Sequence, residues 1–266
     1  MDAPGTMIFD VGAHRGEDTD YYLKKGFRVV AVEANPALCL ELSHRFDAQI
    51  RSGQLTLVNC AIAETAGLID FYVNQKHSTW GTAIPKWARR NEKMGAGSDV
   101  VRVRAEKFAS ILAQYGTPYY LKIDIEGADL LCIKALQGLS VLPRFVSLES
   151  SKESWAELLQ EFELLTSLGY SRFKVIRQAN QHKLVSPNPP LEGVYVSYTF
   201  VPASSGLFGN ELPGKWLTKD EAIRKYRGIF LRYRLFGDNT VGSRLLSRIP
   251  VLRAILSPQW YDTHAS

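Results

Sequence analysis

What is missing from this chain narrows its class before any motif does. Its three cysteines, Cys39, Cys60 and Cys132, lie far apart and form neither a Cys-x-x-Cys pair nor a zinc spacing. Dispersed thiols in odd number suit a reducing, cytoplasmic setting better than a disulfide framework. No run of about 18 apolar residues occurs, so no membrane-spanning helix is expected. The opening MDAPGT has neither a basic start nor an apolar stretch, and no secretory leader is expected. Asp124 and Glu149 are oxygen donors at predicted strand ends, but no clustered carboxylate motif completes a cation site, so no metal is expected. Excess charge is absent from most of the chain. Residues 205–266 carry ten Lys or Arg against five Asp or Glu, and the rest balances at 22 of each, which leaves the whole +5 in the last stretch. A neutral body does not favour a nucleic-acid groove. With 266 residues and 45% hydrophobic content, the chain can hold one large domain, or one domain and an appendage, around a substantial core.

The stretch from Met7 to Pro36, MIFDVGAHRGEDTDYYLKKGFRVVAVEANP, is the most informative. A short apolar strand, Met7 to Val11, carries Asp10 near its end. The turn Gly12 to Gly16 follows, then a helix to Lys25 that stops at Gly26, a left-handed cap position. A second apolar strand, Phe27 to Val32, ends in Glu33. This is a βαβ unit, and an acid about 20 residues past the glycine turn suits the two hydroxyls of a ribose. A dinucleotide would call for Gly-x-Gly-x-x-Gly, yet His14 stands where the middle glycine belongs. Asp10, just before the turn, would repel phosphate and attract the ammonium or sulfonium of S-adenosylmethionine.

The segments DVGAHRG and VEANP resemble the first two cofactor motifs of the FkbM-type methyltransferases, and LKIDIEGAD, at Leu121 to Asp129, resembles a distinctive later motif of that family. Asn is usual in the family where His14 stands here. The resemblance covers roughly residues 7 to 200 and implies an S-adenosylmethionine-dependent enzyme. It further implies methylation of a hydroxyl on a sugar, a glycolipid or polysaccharide, or a natural product, hence a small-molecule or glycan partner.

The rest of the chain alternates strands and helices, which predicts an α/β, Rossmann-like doubly wound sheet of the class I methyltransferase type. Asn35-Pro36 caps a helix running to about Arg51. Strands are expected at Leu55 to Ile62, Leu68 to Val73, Val100 to Arg104, Tyr119 to Ile125 and Phe145 to Leu148. Helices are expected at Glu106 to Tyr115, from Gly127 to Gln137 and at Glu153 to Leu168. Phe173 to Arg177 and Val194 to Phe200 are expected to close the sheet as an antiparallel pair. His77 to Asp99 reads as an insertion loop or lid, and Asn188-Pro189-Pro190 as a loop. The expected organisation is a methyltransferase domain over residues 1–204 and a basic helical extension over 205–266. In the extension Thr218-x-x-Glu221 forms a capping box. Ile223, Tyr226, Phe230 and Tyr233 share one face of the helix it opens, and a second basic stretch runs from Ser243 to Leu256. That extension is either a helical cover with solvated arginines or a peripheral contact with anionic lipid or a lipid-linked substrate.

Ligands of doubly wound sheets sit outside the carboxyl ends of the strands. The expected cofactor contacts are Asp10, Gly12, His14, Gly16 and Glu33, with Asn59, Cys60 and Ala61 lining the adenine. Lys122, Asp124 and Glu126 are expected to alternate on one face of their strand. Asp124 would take the acceptor's proton or orient it, Lys122 would lower the hydroxyl pKa or neutralise Asp124, and Glu126 would touch cofactor or substrate or accept amides of the next helix. His77 is either a base, a substrate contact or a solvated loop residue. Two rival readings are a nicotinamide-dependent oxidoreductase and a non-catalytic docking module.

Overall fold

The computed structural model describes residues 6–151, 154–236 and 260–266. Contacts divide the chain into two compact units, one of residues 1–146 and 181–212, the other of 147–180 and 213–266.

The first unit opens with β1 (Met7–Val11), α1 (Glu17–Lys24) and β2 (Arg28–Glu33). Apolar residues fill both faces of β1 and β2, as a parallel strand covered on two sides requires. Helix α1 stops where Gly26 adopts φ 88°. Asn35 caps α2 (Pro36–Arg45) by accepting the Ala37 amide at 3.0 Å. The single helix expected to Arg51 breaks at Phe46, whose ring is buried, and resumes as α3 (Asp47–Arg51). The strand expected from Leu55 to Ile62 also divides. β3 (Leu55–Asn59) pairs with β2, whereas β4 (Ala61–Ile62) joins a separate three-stranded sheet with β5 (Gly67–Asn74) and β6 (Ser98–Glu106). Between β5 and β6 the expected loop contains α4 (Pro85–Lys93). Helix α5 (Phe108–Tyr115), β7 (Tyr120–Ile123) and α6 (Asp129–Lys134) follow. The order β3-β2-β1-β7 is parallel throughout, with Asp10 level with Lys122 and Glu33 level with Asn59.

Residues 181–212 return to this unit. Phe208 stacks on Tyr120 with centroids 5.0 Å apart and meets Tyr22 and Phe27 edge-on. Lys25 and Glu211 form a wholly buried ion pair at 2.6 Å, and Glu211 also accepts the amides of Leu191 and Glu192 and the Tyr21 hydroxyl. Those extra donors satisfy the lone pairs that a buried carboxylate would otherwise leave costly. Val194 to Phe200, expected as a strand, forms none; its Val194 amide bonds the Lys25 carbonyl instead.

β8 (Phe145–Glu149) starts in the first unit and ends in the second, where α7 (Trp155–Ser167), β9 (Phe173–Arg177), α8 (Lys219–Phe236) and β10 (Tyr261–Ala265) follow. The partner of β9 is β10, paired antiparallel from Tyr261–Arg177 to Ala265–Phe173. This corrects the expected closing pair: the last residues of the chain supply the strand assigned to Val194–Phe200. Thr263 and Ala265 are fully buried there, and the Thr263 hydroxyl bonds both Tyr226 and Ser150. The capping box is present, with Thr218 Oγ1 accepting the Glu221 amide at 3.3 Å and Glu221 accepting the Thr218 amide at 2.9 Å. On α8, Tyr226 packs on Phe162, and Phe230 meets Trp155 edge-on. The basic stretch Ser243 to Leu256 lies outside the described residues. No described helix is long and apolar enough to cross a membrane.

Candidate active site

The carboxyl ends of β1, β2 and β7 meet around the turn Gly12–Gly16. Asp10 is wholly buried, and its Oδ2 accepts the Thr19 hydroxyl at 2.6 Å. Lys122, opposite it on β7, places Nζ 3.2 Å from Asp10 Oδ1, 3.5 Å from Asp18 and 3.8 Å from Asp124, and donates to the Gly12 carbonyl at 3.3 Å. Burial by itself would lower the Lys122 pKa, but the three surrounding carboxylates outweigh it and hold the ammonium well above its ordinary range. Burial likewise pushes Asp18 up to about 6, against the pull of Lys122 and of the Ser205 amide that Asp18 accepts at 2.8 Å. Lys122 is therefore a fixed countercharge.

The expected strand alternation of Lys122, Asp124 and Glu126 does not hold. β7 ends at Ile123, and the chain turns with Glu126 at φ 49° and Gly127 at φ 101°. Asp129 organises that turn by accepting the amides of Ile125 and Gly127, and burial raises its pKa to about 6. Within this turn Glu126 offers its carbonyl to the Thr82 hydroxyl at 2.9 Å. Asp124 differs from its neighbours in exposure: its side chain is 45% accessible, while Lys122 and Asp10 are closed off.

Glu33 is buried at the end of β2, accepting the His14 amide at 2.8 Å and the Asn35 amide at 2.7 Å. Desolvation raises it to about 7 despite those bonds. Each of its oxygens keeps acceptor capacity. Asn59 lies on the neighbouring strand and donates to the Glu33 carbonyl at 2.8 Å. Cys60 is buried with its thiol pushed up to about 11, which leaves it unreactive, and Ala61 is buried at the start of β4.

The glycines serve packing. A Cβ on Gly12 would lie 1.8 Å from the Asp124 carbonyl oxygen, and one on Gly16 would lie 2.5 Å from the Phe46 ring. Gly12 thereby lets β7 close against the turn. His14, at φ 51°, sets its ring between Glu17, 3.1 Å from Nδ1, and the Ser78 hydroxyl, 2.9 Å from Nε2. The insertion is thus tied to both flanks of the site, through Ser78 to the glycine turn and through Thr82 to the turn after β7. His77 is exposed and stands against Trp80 with ring centroids 4.2 Å apart.

Asp18, Thr19 and Asp129 were not singled out by sequence reasoning. An acid in a first helical turn reads as a macrodipole partner. The signal that marks Asp18 is its spacing, since Tyr21 and Tyr22 at i+3 and i+4 are buried and place it on the inner face.

The donor set fits a cationic nucleoside. Around one ammonium stand three carboxylates, a negative surplus that favours a sulfonium or ammonium and disfavours a pyrophosphate. Glu33 supplies acceptors of the kind a ribose diol needs.

Residues 10–172 match the family described as "Methyltransferase FkbM domain". A 58-residue stretch is 36% identical to a probable ribosomal RNA small subunit methyltransferase A of Methanospirillum hungatei JF-1, spanning 22% of this chain and 23% of that protein. The chain thus spans less than a quarter of that relative's length. Among solved structures, a SAM-dependent methyltransferase from Archaeoglobus fulgidus is 10% identical with a TM-score of 0.41, over 98% of this chain and 86% of that one. A precorrin-6y C5,15-methyltransferase from Geobacter metallireducens is 15% identical with a TM-score of 0.37, over 68% and 73%. Scores this low add nothing to the family match. With its Rossmann-like α/β fold and the match over residues 10–172, the chain belongs to the FkbM methyltransferase family, whose cofactor is S-adenosylmethionine.

Proposed function

We propose that the acceptor is a hydroxyl, carried by a sugar, a glycolipid or polysaccharide, or a natural product. The observation that carries this reading is the exposed carboxylate of Asp124 beside the buried Asp10–Lys122–Asp18 cluster. Bound S-adenosylmethionine supplies an electrophilic methyl carbon on a sulfonium. A hydroxyl that takes the methyl group would have to give up its proton as the C–S bond breaks and S-adenosylhomocysteine leaves, whereas a neutral amine needs no base to attack. Asp124 accepts that proton as the oxygen attacks, and its exposure lets the proton pass on to water. Lys122, held by Asp10 and Asp18, keeps the acid cluster from carrying its full negative charge and fixes the end of β7. Most of the rate gain then comes from holding acceptor oxygen and methyl carbon in line.

Glu33 receives the ribose hydroxyls, and Asp10 sets the field for the cationic end of the cofactor. Gly12, His14 and Gly16 shape the turn between them, and Asn59, Cys60 and Ala61 lie on the adenine side. His77 and Glu126 contact the acceptor, a role supported by the two ties that hold the insertion at the glycine turn and at the turn after β7. A body with balanced charge favours a small molecule or glycan over nucleic acid as the acceptor.

The test is transfer of isotopically labelled methyl from S-adenosylmethionine to a panel of glycans and hydroxylated natural products, with products assigned by NMR. O-methyl ethers are expected. Labelling of amines or carboxylates alone would overturn the oxygen assignment.

A further inference from the structure

We propose that the outward face of α8 docks on a membrane surface of anionic lipid. The helix runs 18 residues, Lys219–Phe236, and its cations are of two kinds. Two lysines have partners on neighbouring elements: Lys225, itself exposed, donates to the Val175 carbonyl at 2.9 Å, and Lys219 reaches the Thr166 hydroxyl at 3.5 Å. Arg224, Arg227, Arg232 and Arg234 are exposed. Leu231 and Leu235, one turn apart, are exposed on the same side by 59% and 51%. Tyr226 is buried, with Phe230 against Trp155, so the opposite face is the one already packed.

Charge complementarity selects the occupant. No acid occurs between Ala222 and Gly237, and none between Asn239 and Tyr261, where Arg244, Arg248 and Arg253 continue the basic sequence. A single exposed leucine is ordinary on a protein surface. Two leucines at i and i+4, ringed by arginines and with no acid after the first turn, have the composition of an interfacial helix: apolar side chains enter the headgroup boundary and guanidinium groups pair with lipid phosphate. Arginine suits that pairing because its planar fork binds phosphate bidentately.

The experiment is co-flotation of the full chain with vesicles of phosphatidylcholine alone and with about a third phosphatidylglycerol, at low and high salt. The chain is expected to float with the anionic vesicles, to stay behind with neutral ones, and to be released as salt rises. Arg227→Gln and Arg232→Gln should each lower partitioning about fivefold, in keeping with the attraction of one basic residue to an anionic surface. Leu231→Ser should lower it at every salt concentration. Thermal midpoint and S-adenosylhomocysteine affinity, measured on the same proteins, should be unchanged and so show that the variants fold. Equal flotation with neutral vesicles, no flotation, or arginine variants that float like the parent would each overturn the proposal. So would concentration-dependent self-association that Leu231→Ser abolishes, because that result assigns the face to a second copy of the chain.

Discussion

The Lys122 ammonium lies closer to Asp10, at 3.2 Å, than to Asp124, at 3.8 Å. Its first duty is to balance two acids that have no access to water, Asp10 and Asp18. Lys122→Met should therefore destabilise the chain by roughly 3–5 kcal/mol, the usual cost of stranding a buried charge. The loss should be largest at neutral pH and shrink in acid, where Asp18, raised by burial to about 6, becomes protonated and needs no partner. Urea unfolding at pH 5 and pH 8 checks this; an equal loss at both would show that packing, and not charge, is what Lys122 supplies.

Asp124 has the opposite character. Its half-exposed carboxylate is not needed to balance a closed cluster, so Asp124→Asn should leave folding and S-adenosylhomocysteine affinity near the parent's. The methyl-transfer rate should fall by about 10²–10⁴, the range for loss of a general base. Single-turnover kinetics beside calorimetry separates the two effects. Weaker cofactor binding with an unchanged chemical rate would move Asp124 from the base to the cofactor.

Glu33 gives a pH signature. Folded, it ionises near pH 7, against an ordinary 4.5. The folded chain thus binds more protons than the unfolded one between those values. The corresponding stability is complete below about pH 4.5 and is lost as pH rises through 7, by about 3 kcal/mol at most. Glu33→Gln should flatten that slope in thermal melts of the cofactor-free protein. Cofactor affinity should run the other way, strengthening as pH passes 7, because the ionised carboxylate is the better acceptor for ribose hydroxyls.

Gly12→Ala tests the closure of β7 on the glycine turn. The added Cβ meets the Asp124 carbonyl at 1.8 Å in a backbone at φ 87°. A clash with main chain cannot relax by a rotamer change, so a loss of about 3 kcal/mol or more is expected, with collapse of soluble expression. Near-parent stability would show that this turn has slack.

Removal of residues 261–266 should abolish cooperative unfolding of the second unit. It strips β9 of its partner and leaves Tyr226 and Ser150 without the Thr263 hydroxyl. Hydrogen exchange at Phe173–Arg177 would report the loss directly.

Local chemistry was enough to read much of this chain from sequence. The apolar runs of β1 and β2, the turn between Gly12 and Gly16, the stop at Gly26, the Asn35 cap and the Thr218–Glu221 box each depend on residues a few positions apart, and all stand where their patterns put them. The motif spacing from Asp10 to Glu33 and on to Asp124 sufficed for the family, because three short motifs in order are specific where one is not. Contacts distant along the chain were a different matter. Composition favours Val194–Phe200, VYVSYTF, over Tyr261–Ala265, YDTHA, as the partner of FKVIR, because three of the latter's five residues are polar; tertiary packing nevertheless chose Tyr261–Ala265. Likewise, the alternation of LKIDIE implied one charged face, but left-handed backbone at Glu126 and the bonds to Asp129 ended the strand at Ile123. Sequence could place Lys122 and Asp124 two residues apart. Only the fold decided that Lys122 would be buried among Asp10 and Asp18 while Asp124 reached water, since burial is set by which distant elements close over a side chain.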